Sequence, residues 1–311
     1  MIVDFAIALG LGVALDFVFG DPRKMPHLVR FVGALAVKGE SLLVSSIGRR
    51  VFAGMILWLG IVGICLGGYW AVALLLEMVG SWAKVVFDGI LVFQCIAYRD
   101  LVKHVLAVKS GLEQGIEQGR KRVSWIVGRD TDRMEEDDVC RAAIESGAEN
   151  LNDAVIAPLF WIAVLGPIGG LLFRISNTLD AMVGHRTERF EKLGKVSARV
   201  DDVLNFIPAR LCCVLLLTFR EAPNWRELRK DAKKHPSFNA GWPEAAMAKR
   251  LGVVIGGRMY ERGQLVQTAE MNEGRPQPTR ADIAGATRLM GTAYAKCLVL
   301  IAVAWGVLAS L

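Results

Sequence analysis

Carboxylate and amide side chains recur at helical spacing in a stretch of this 311-residue sequence that is otherwise strongly apolar. Glu145, Glu149, Asn152 and Asp153 stand at positions i, i+4, i+7 and i+8, so a continuous helix would place all four on one face. Several oxygen ligands on one face suit a hard cation such as Mg²⁺, whose shell is often completed by phosphate oxygens. The spacing therefore predicts a Mg²⁺-phosphate site, with a solvated helix face ahead of a membrane segment as the alternative.

Two further polar clusters follow, each separated from the first by apolar sequence. The middle cluster contains Asn177, Asp180, His185 and Arg186, and the last contains Asp201, Asp202, Asn205 and Arg210. Carboxylates bind metals or accept a proton from an amine, and arginine guanidinium groups bind phosphate or carboxylate in a bidentate way. A single histidine such as His185 would more often be structural than catalytic. Together, the three clusters predict one shared polar cavity.

Polar side chains elsewhere give weaker signals. They are Arg129 and Asp130 in the segment GRDT, and His235, Asn239, Trp242 and Glu244 around two prolines. The GRDT segment can be a helix cap with a surface arginine. The later group combines rigid turns with an aromatic edge of the kind that contacts a ligand, although Trp242 is equally explained as an interfacial anchor.

Several classes of function lack their residues in this sequence. There is no G-x-x-x-x-G-K-[ST], H-E-x-x-H or G-x-S-x-G, which excludes the common phosphate-loop, zinc-protease and serine-hydrolase mechanisms. The six cysteines form no C-x-x-C pair and stand mostly in apolar runs, so they are predicted to be buried thiols rather than metal ligands or disulfides. The net charge of +6 is better explained by membrane topology and by anionic lipid or substrate than by nucleic acid.

Hydrophobic residues make up 53% of the chain, which is typical of an integral membrane protein. Four apolar segments approach the roughly 20 residues that cross a bilayer, at 2–19, 51–79, 85–98 and 292–311. The first lacks the basic start and the cleavage pattern of a signal peptide, so it is predicted to remain as a membrane helix. Two more apolar segments, 155–173 and 203–219, contain Pro and Gly, which suits broken or re-entrant helices around a polar cavity, or buried core helices.

The distribution of Lys and Arg orients these segments. The loop 20–50 and the region 99–296 hold nearly all of them, so the positive-inside rule places both in the cytoplasm and both termini outside. No sustained period-2 pattern or fixed repeat is present. The prediction is an all-α, polytopic integral protein of the cell membrane, with about four full spans plus broken or re-entrant apolar helices around a polar site. Its regions are membrane helices at 1–98, a helical catalytic region at 99–291 and a C-terminal membrane helix at 292–311.

Six motifs at these same positions resemble a known family. They are GDPRKMPHLVRFVG (20–33), VGRDT (127–131), ESGAENLNDAVIAPLFW (145–161), NTLDAMVGHR (177–186), ARVDDVLNFIPAR (198–210) and NAGWPEAAMAKRLGV (239–253). From about residue 15 to about residue 257, the chain resembles the adenosylcobinamide-phosphate synthases of cobalamin biosynthesis, the CobD/CbiB family. It departs from the family pattern at 151–154, where Leu-Asn-Asp-Ala replaces the more usual Thr-Ser-Asp-Gly, and at His185, where Tyr is common.

The resemblance implies a carbon-nitrogen ligase. Such an enzyme joins a propionate carboxyl of adenosylcobyric acid to the amine of aminopropanol phosphate, or of threonine phosphate in some members. Because amide formation from a carboxylate and an amine is uphill in water, ATP and Mg²⁺ are expected, most simply through an acyl phosphate. No nucleotide motif in the sequence places the ATP. Beside the lipid bilayer, a second copy of the chain or other cobalamin-biosynthesis enzymes are the implied partners.

The clusters and the resemblance together assign roles to individual residues. Metal ligation and a general base are expected from Glu145, Glu149, Asp153, Asp180, Asp201 and Asp202, with the first four as Mg²⁺ ligands. Phosphate binding is expected from Arg129, Arg186 and Arg210, and orientation of substrate oxygens from Asn150, Asn177 and Asn205. Asp130 and His185 join the substrate-binding group. The corrinoid is expected to enter past His235, Asn239, Trp242 and Glu244.

Two other functions use similar features. A membrane carrier of a corrinoid or a related anion also uses broken apolar helices and intramembrane charges. This chain has few full spans for a carrier, and the region 99–296 is too long and charged to be a simple loop. A non-catalytic assembly subunit would need no acidic clusters that face one another. The enzyme is therefore the preferred prediction, with the carrier as its main alternative.

Overall fold

The computed structural model describes residues 2–21, 27–48, 50–184, 189–217, 224–261 and 263–310. Most of it is α-helical, which satisfies the backbone hydrogen bonds of an apolar chain without water. Among the described residues, four helical runs are long and apolar enough to cross a bilayer. They are Ile2–Phe19, Val51–Val79, Glu136–Leu165 and Arg280–Ser310. The predicted class, an all-α membrane protein with four such helices, is confirmed.

Thirteen helices are present in the described part of the chain. In order they are α1 (Ile2–Phe19), α2 (Leu28–Ile47), α3 (Val51–Val79), α4 (Ser81–Cys95), α5 (Tyr98–Gln114), α6 (Ile116–Val123), α7 (Glu136–Leu151), α8 (Ala157–Leu165), α9 (Pro167–Val183), α10 (Lys195–Leu216), α11 (Trp225–Ala232), α12 (Gly241–Leu251) and α13 (Arg280–Ser310). A π-helical turn, Asn152–Ile156, joins α7 to α8. An antiparallel hairpin of β1 (Arg258–Glu261) and β2 (Gln264–Gln267) precedes α13.

The first of two compact units comprises Met1–Ala97, Ala157–Asn205 and Ile301–Leu311. Helix α9 is its central element, because it contacts α1, α2, α3, α4 and α8. Leu171, Ile175 and Leu179 follow one another at four-residue spacing along α9 and are buried in a core shared with α2 and α3. That apolar face fixes α9, which carries Asn177 and Asp180 in its last two turns.

The second unit comprises Tyr98–Ile156 and Phe206–Leu300. Its central helix is α7, which contacts α5, α6 and α12 and is buried continuously from Asp138 to Ala148. A capping box starts this helix: the Glu135 carboxylate accepts a backbone N–H, and the Asp138 carboxylate accepts the N–H of Glu135 at 3.1 Å. Glu145 and Glu149 are thereby held on a buried helix.

One of the four predicted spans is not among these long apolar runs. The segment predicted at 85–98 is helix α4, which ends at Cys95 and has 15 residues. At a rise of 1.5 Å per residue it is about 22 Å long, short of the roughly 30 Å hydrocarbon core. The fourth long apolar run is instead Glu136–Leu165, whose charged first half hid it from a search for uniformly apolar segments.

The two apolar segments with Pro and Gly behave differently. The segment 155–173 is broken as predicted, because α8 stops at Gly166, whose φ of 72° favours glycine, and Pro167 starts α9. The segment 203–219 is not broken at its proline, since α10 continues through Pro208 to Leu216. Loss of one backbone hydrogen bond at Pro208 is therefore tolerated inside this packed helix.

The hairpin is the one element that contradicts the expectation of helices alone. Asp130 holds it in place: its backbone N–H donates to the Tyr260 carbonyl at 2.9 Å, and its carboxylate accepts the Gly263 N–H at 2.6 Å. Asp130 was predicted to bind substrate, and these contacts give it a structural task. The strands have four residues each, too few for a period-2 pattern to show in the sequence.

Lys296 of α13 caps the end of α10. Its ammonium donates to the carbonyls of Leu215 and Leu217 at 2.8 and 3.0 Å, where the helix dipole favours a cation. Lys296→Met is expected to lower the free energy of unfolding by about 1.5–3 kcal/mol, because charged hydrogen bonds to these carbonyls are lost. Thermal unfolding in detergent tests this, with Arg288→Met, an exposed position on the same helix, as the control. Equal melting temperatures for the two variants would contradict the capping role.

Candidate active site

A cavity of about 350 Å³ lies beside α7 in the second unit. Its charged lining side chains are Arg129, Glu145, Glu149, Lys234, Glu244 and Glu261, with His235 beside them. We call it the acid cavity, because four carboxyl groups face two cations. Asn150 also lines it and donates to the Ser146 carbonyl one turn back at 2.9 Å. Of the predicted site residues, this cavity brings together Glu145, Glu149, Arg129, Asn150, His235 and Glu244.

Glu145 is fixed on both of its oxygens. Arg129 forms an ion pair with Oε2, and the two side chains are only 16% and 10% exposed. The Gly256 N–H donates to Oε1 at 2.7 Å. Gly256 has a φ of 80°, and a Cβ there would lie 2.4 Å from the Ala269 carbonyl, so glycine is required for this approach. Glu145 thus has little capacity left for a substrate or a metal.

Glu244 is buried in the wall of the acid cavity. Burial raises the pKa of its carboxyl well above the usual range, and the neighbouring carboxylates of Glu145 and Glu149 add to the rise. Its Oε1 faces His235 Nε2 at 3.6 Å. Burial lowers the pKa of His235, whose Nδ1 accepts the Ser237 N–H at 2.9 Å, so the neutral ring carries its proton on Nε2. The pair favours a protonated Glu244 beside a neutral imidazole.

A second, more open cavity of about 960 Å³ is lined by aromatic and basic side chains. The Arg210 guanidinium lies 3.9, 4.9 and 5.0 Å from the ring centres of Phe206, Phe238 and Trp242. It also donates to Asn239 Oδ1 at 2.6 Å, which orients the guanidinium plane. Arg229 and Lys233 add two cations, and none of the described residues that line this cavity is an Asp or Glu. We call it the aromatic groove.

One turn separates the two cavities. His235 and Pro236 line both the acid cavity and the aromatic groove. The turn is tightly fitted, because a Cβ at Gly241 would lie 2.2 Å from the Ala232 carbonyl, and Ser237 Oγ accepts the N–H groups of Asn239 and Ala240. A ligand in the groove therefore lies against the wall of the acid cavity.

The first unit carries a polar cluster of its own, formed by Asn177, Asp180, Asp201, Asp202 and Asn205. Asn205 and Asn177 donate to the two oxygens of Asp201 at 2.9 and 3.3 Å. Burial raises the pKa of Asp201 to about 7, with Asp180 adding to the rise and the two amide donors opposing it. Burial, and then the charge of Asp202, raises the pKa of Asp180 to about 6. We call this group the aspartate cluster.

These raised pKa values predict a pH-dependent stability. A carboxyl whose pKa is higher in the fold than in the unfolded chain binds its proton preferentially in the fold, so its stabilisation is present at low pH and lost as the pH rises toward about 7. Asp201→Asn removes that ionisation. Its melting temperature should exceed that of the wild type at about pH 8, with a smaller difference at about pH 5. Asp132→Asn, an exposed position, is the control, and a difference that does not change with pH would contradict the assignment.

Comparison with known proteins identifies the family. A sequence profile of the CobD/Cbib protein family matches residues 9–290, a range that contains every candidate site residue. The chain belongs to the CobD/CbiB family. Cobalamin biosynthesis protein CobD of Rhodobacter capsulatus is 36% identical over 315 residues, which cover 98% of this chain and all of that protein.

Two other relatives agree with this assignment. Cobalamin biosynthesis protein CobD of Clostridium perfringens is 34% identical, covering 92% of this chain and 93% of its own. Cobalamin biosynthesis protein CbiB of Salmonella arizonae is 34% identical with the same coverage. No solved structure matches the chain. The resemblance inferred from the six motifs is confirmed at the level of the CobD/CbiB family.

Not every predicted residue of this CobD/CbiB protein lies where the sequence placed it. The expected stripe does not continue past Glu149, because α7 ends at Leu151 and the π-helical turn changes the facing of the next residues. Asn152 donates to Asp153 at 2.8 Å, and neither residue lines the acid cavity. The aspartate cluster belongs to the other unit. His185 and Arg186 lie outside the described residues.

The predicted Mg²⁺ ligands do not form a single cluster. In the ranges that the structure describes, no group of three or more His, Cys, Asp or Glu side chains is arranged to hold a metal. Mg²⁺ is often bound by only one or two carboxylates together with substrate phosphates and water. Glu149 lines the acid cavity and fits that smaller ligand set, whereas the raised pKa of Glu244 favours a protonated carboxyl, which is a poor metal ligand.

Several side chains that line the cavities were not predicted from the sequence. Lys234, Arg229 and Lys233 line the cavities but stand in a basic stretch that gave no motif. The Gly256 N–H on Glu145 is a backbone group and has no side-chain signal. The double glycine Gly256-Gly257, with φ of 80° and 83°, was the available sign of a close backbone approach.

Proposed function

We propose that this CobD/CbiB protein is an enzyme of cobalamin biosynthesis that forms an amide between a corrinoid carboxyl and the amine of an amino-alcohol phosphate. The corrinoid is adenosylcobyric acid, and the amine is aminopropanol phosphate or threonine phosphate. The reaction consumes ATP and requires Mg²⁺. One observation carries the proposal: a carboxyl-lined cavity and an open aromatic, cationic groove share the His235–Pro236 wall.

The aromatic groove suits the corrinoid. Of the cavities described here it is the most open and most apolar, and its rings can cover the face of a flat macrocycle. Arg210 is preoriented by Asn239 and by the rings, so it can pair with a carboxylate at the macrocycle edge. Arg229 and Lys233, which face no carboxylate among the described lining residues, attract the same negative edge.

The acid cavity suits the amine. Its excess of carboxyl groups favours an ammonium group, which must lose a proton before its nitrogen attacks a carbonyl. Glu145 is held by Arg129 and Gly256, and the fold favours a protonated Glu244. We assign Glu149, which lines the cavity one helical turn from Glu145, as the base. Glu244, as a neutral acid, can donate a hydrogen bond to a substrate oxygen.

Activation of the carboxyl needs a co-substrate. ATP would supply the phosphoryl group that turns a carboxylate oxygen into a leaving group, and Mg²⁺ would offset the phosphate charge. Such a metal would be held mainly by substrate phosphates and water, beside the carboxylates of the acid cavity. The aspartate cluster is a second group of acids that we assign to proton transfer. The pKa values of Asp180 and Asp201 are raised to about 6 and about 7, close to physiological pH.

The proposed location is the cell membrane, with the catalytic region on the cytoplasmic side. The acid cavity is lined by residues that precede the run Glu136–Leu165 and by residues that follow it. Both flanks therefore lie in one compartment, so the run Glu136–Leu165 does not cross the bilayer, although it is long and apolar enough to do so. The abundance of Lys and Arg between 99 and 296 favours the cytoplasm as that compartment. Cysteines introduced at Lys121 and Arg226 should both react with an impermeant reagent only in inside-out vesicles.

Turnover of the purified protein tests the proposal. Full-length protein in detergent is incubated with adenosylcobyric acid, aminopropanol phosphate, ATP and Mg²⁺, with threonine phosphate as a parallel amine, and the product is measured by mass spectrometry. An amide that requires both ATP and metal is expected. Corrinoid accumulation in sealed vesicles without any amide would favour the carrier instead.

A further inference from the structure

A third cavity, of about 690 Å³, lies in the second unit between α11, the end of α12 and the loop before α13. Its basic lining residues are Lys230, Lys234, Lys249, Arg250 and Arg275. Three carboxylates oppose them, from Glu227, Asp231 and Glu273. Five cations against three anions leave a net positive cavity with little apolar wall. We call it the basic cavity.

Two of these cations have no partner in the part of the chain that the structure describes. Lys249 pairs with Glu227 at 2.8 Å, and Lys234 pairs with Asp231 at 2.8 Å. Lys230 and Arg275 have neither an ion pair nor a hydrogen bond from their side chains to any described residue. Both side chains are exposed, so an anion can reach them from solvent without first displacing a protein carboxylate.

The wall that carries Arg275 is fixed by Asn272, which adopts a left-handed backbone conformation. Asn272 has a φ of 56°, and it is the one residue other than glycine with a positive φ among those described. Its side chain donates to the carbonyls of Ala248 and Val253 at 3.1 and 2.9 Å, and its backbone N–H donates to Asp231 at 3.1 Å. Three hydrogen bonds therefore hold the Glu273–Arg275 loop against α11 and α12, so this side of the cavity is preformed.

The basic cavity adjoins the acid cavity through one side chain. Lys234 lines both, and its ammonium donates to the Glu270 carbonyl at 2.6 Å. The acid cavity has an excess of carboxyl groups and repels a polyanion, and the aromatic groove is already suited to a macrocycle. Several separated cations in a polar cavity match a chain of several phosphates better than a single charge.

We propose that the basic cavity binds the polyphosphate of a nucleoside triphosphate, with Lys230 and Arg275 as phosphate ligands and Lys234 at the boundary with the acid cavity. This assignment rests on the proposed function for the identity of the nucleotide. It places a phosphate chain beside the cavity in which the carboxyl is activated.

Binding of ATP by the full-length protein tests the site. Titration calorimetry in neutral-lipid nanodiscs compares the wild type with Lys230→Gln/Arg275→Gln, and with the control Arg226→Gln/Lys121→Gln, which changes exposed cations outside the cavity. We expect at least a tenfold weaker affinity for ATP and for inorganic tripolyphosphate in the first variant, and unchanged affinity in the control. Asn272→Ala should weaken ATP binding less, because it loosens the wall and leaves both ligands.

Other results would overturn the site. Unchanged ATP affinity in the cavity variant contradicts it, as does a loss confined to aminopropanol phosphate, which would make the cavity a site for the amine. A variant that alters only thermal stabilisation by phosphatidylglycerol would assign the cavity to a lipid headgroup. If amide forms with an unchanged KM for ATP in the variant, the site is wrong and the proposed function stands. If ATP binds through these residues but no amide forms, the function is wrong and the site stands.

Discussion

Replacing Arg129 with methionine is expected to lower the free energy of unfolding by about 3–5 kcal/mol, because Glu145 would remain buried without its cation. For a protein of this size the melting temperature should fall on the order of 10 °C. Differential scanning fluorimetry of the detergent-solubilised chain measures the shift. Amide formation should fall as well, since Glu145 and the Gly256 turn form one wall of the acid cavity.

Two further variants separate the buried ion pair from a general effect of losing charge. Arg133→Met removes an exposed arginine nearby and should leave the melting temperature within about 1 °C. Arg129→Met combined with Glu145→Gln should recover most of the loss, because the amide oxygen can still accept the Gly256 N–H without leaving a buried charge. A double variant as unstable as Arg129→Met would refute this account.

Glu149→Gln is expected to reduce kcat by a factor of about 10²–10⁴ with little change in melting temperature, because the amide keeps the shape of the side chain but cannot remove a proton. The rate of amide formation with saturating corrinoid, amine and ATP is the measurement. Because the missing step is deprotonation of the amine, raising the pH should partly restore the rate of the variant.

Glu261→Gln is the matched control for this prediction. Glu261 lines the same cavity at an exposed position on β1, so its loss should change kcat less than about threefold. If Glu149→Gln turns over as fast as Glu261→Gln, the base is another residue. A large fall in Glu244→Gln under the same conditions would then transfer the role to the buried acid.

Some of the fold could be predicted because its signals are local. The apolar runs of α1, α3 and α13 were visible in the sequence, and Gly166-Pro167 correctly predicted the break between α8 and α9. The segment predicted at 85–98 is a helix of fifteen residues, shorter than the roughly 20 that the prediction assumed, because its apolar run continues past the point where the helix ends. Pro208 failed as a helix breaker because tertiary packing outweighs one lost hydrogen bond.

The candidate site likewise contains residues that could be predicted from the sequence and residues that could not. Glu145 and Glu149, at i and i+4, share a cavity because spacing within one helix sets their facing. Asp153 was placed with them, yet the π-helical turn after Leu151 removed it from that face, and such a turn has no reliable sequence signal. The contacts of Arg129 and Gly256 with Glu145 join residues that are distant in sequence, and only the folded chain reveals them.

The turn Lys234–Pro236 has a thermodynamic consequence. Lys234 borders the acid and basic cavities, and His235 and Pro236 border the acid cavity and the aromatic groove. A ligand that shifts this turn in one cavity changes the affinity of the next, and linkage requires the same factor in the reverse direction. Ligands that shift the turn would then bind to the three cavities cooperatively, without any separate effector site. The order in which the reactants are added should change the rate at which binding reaches equilibrium but not the final occupancies.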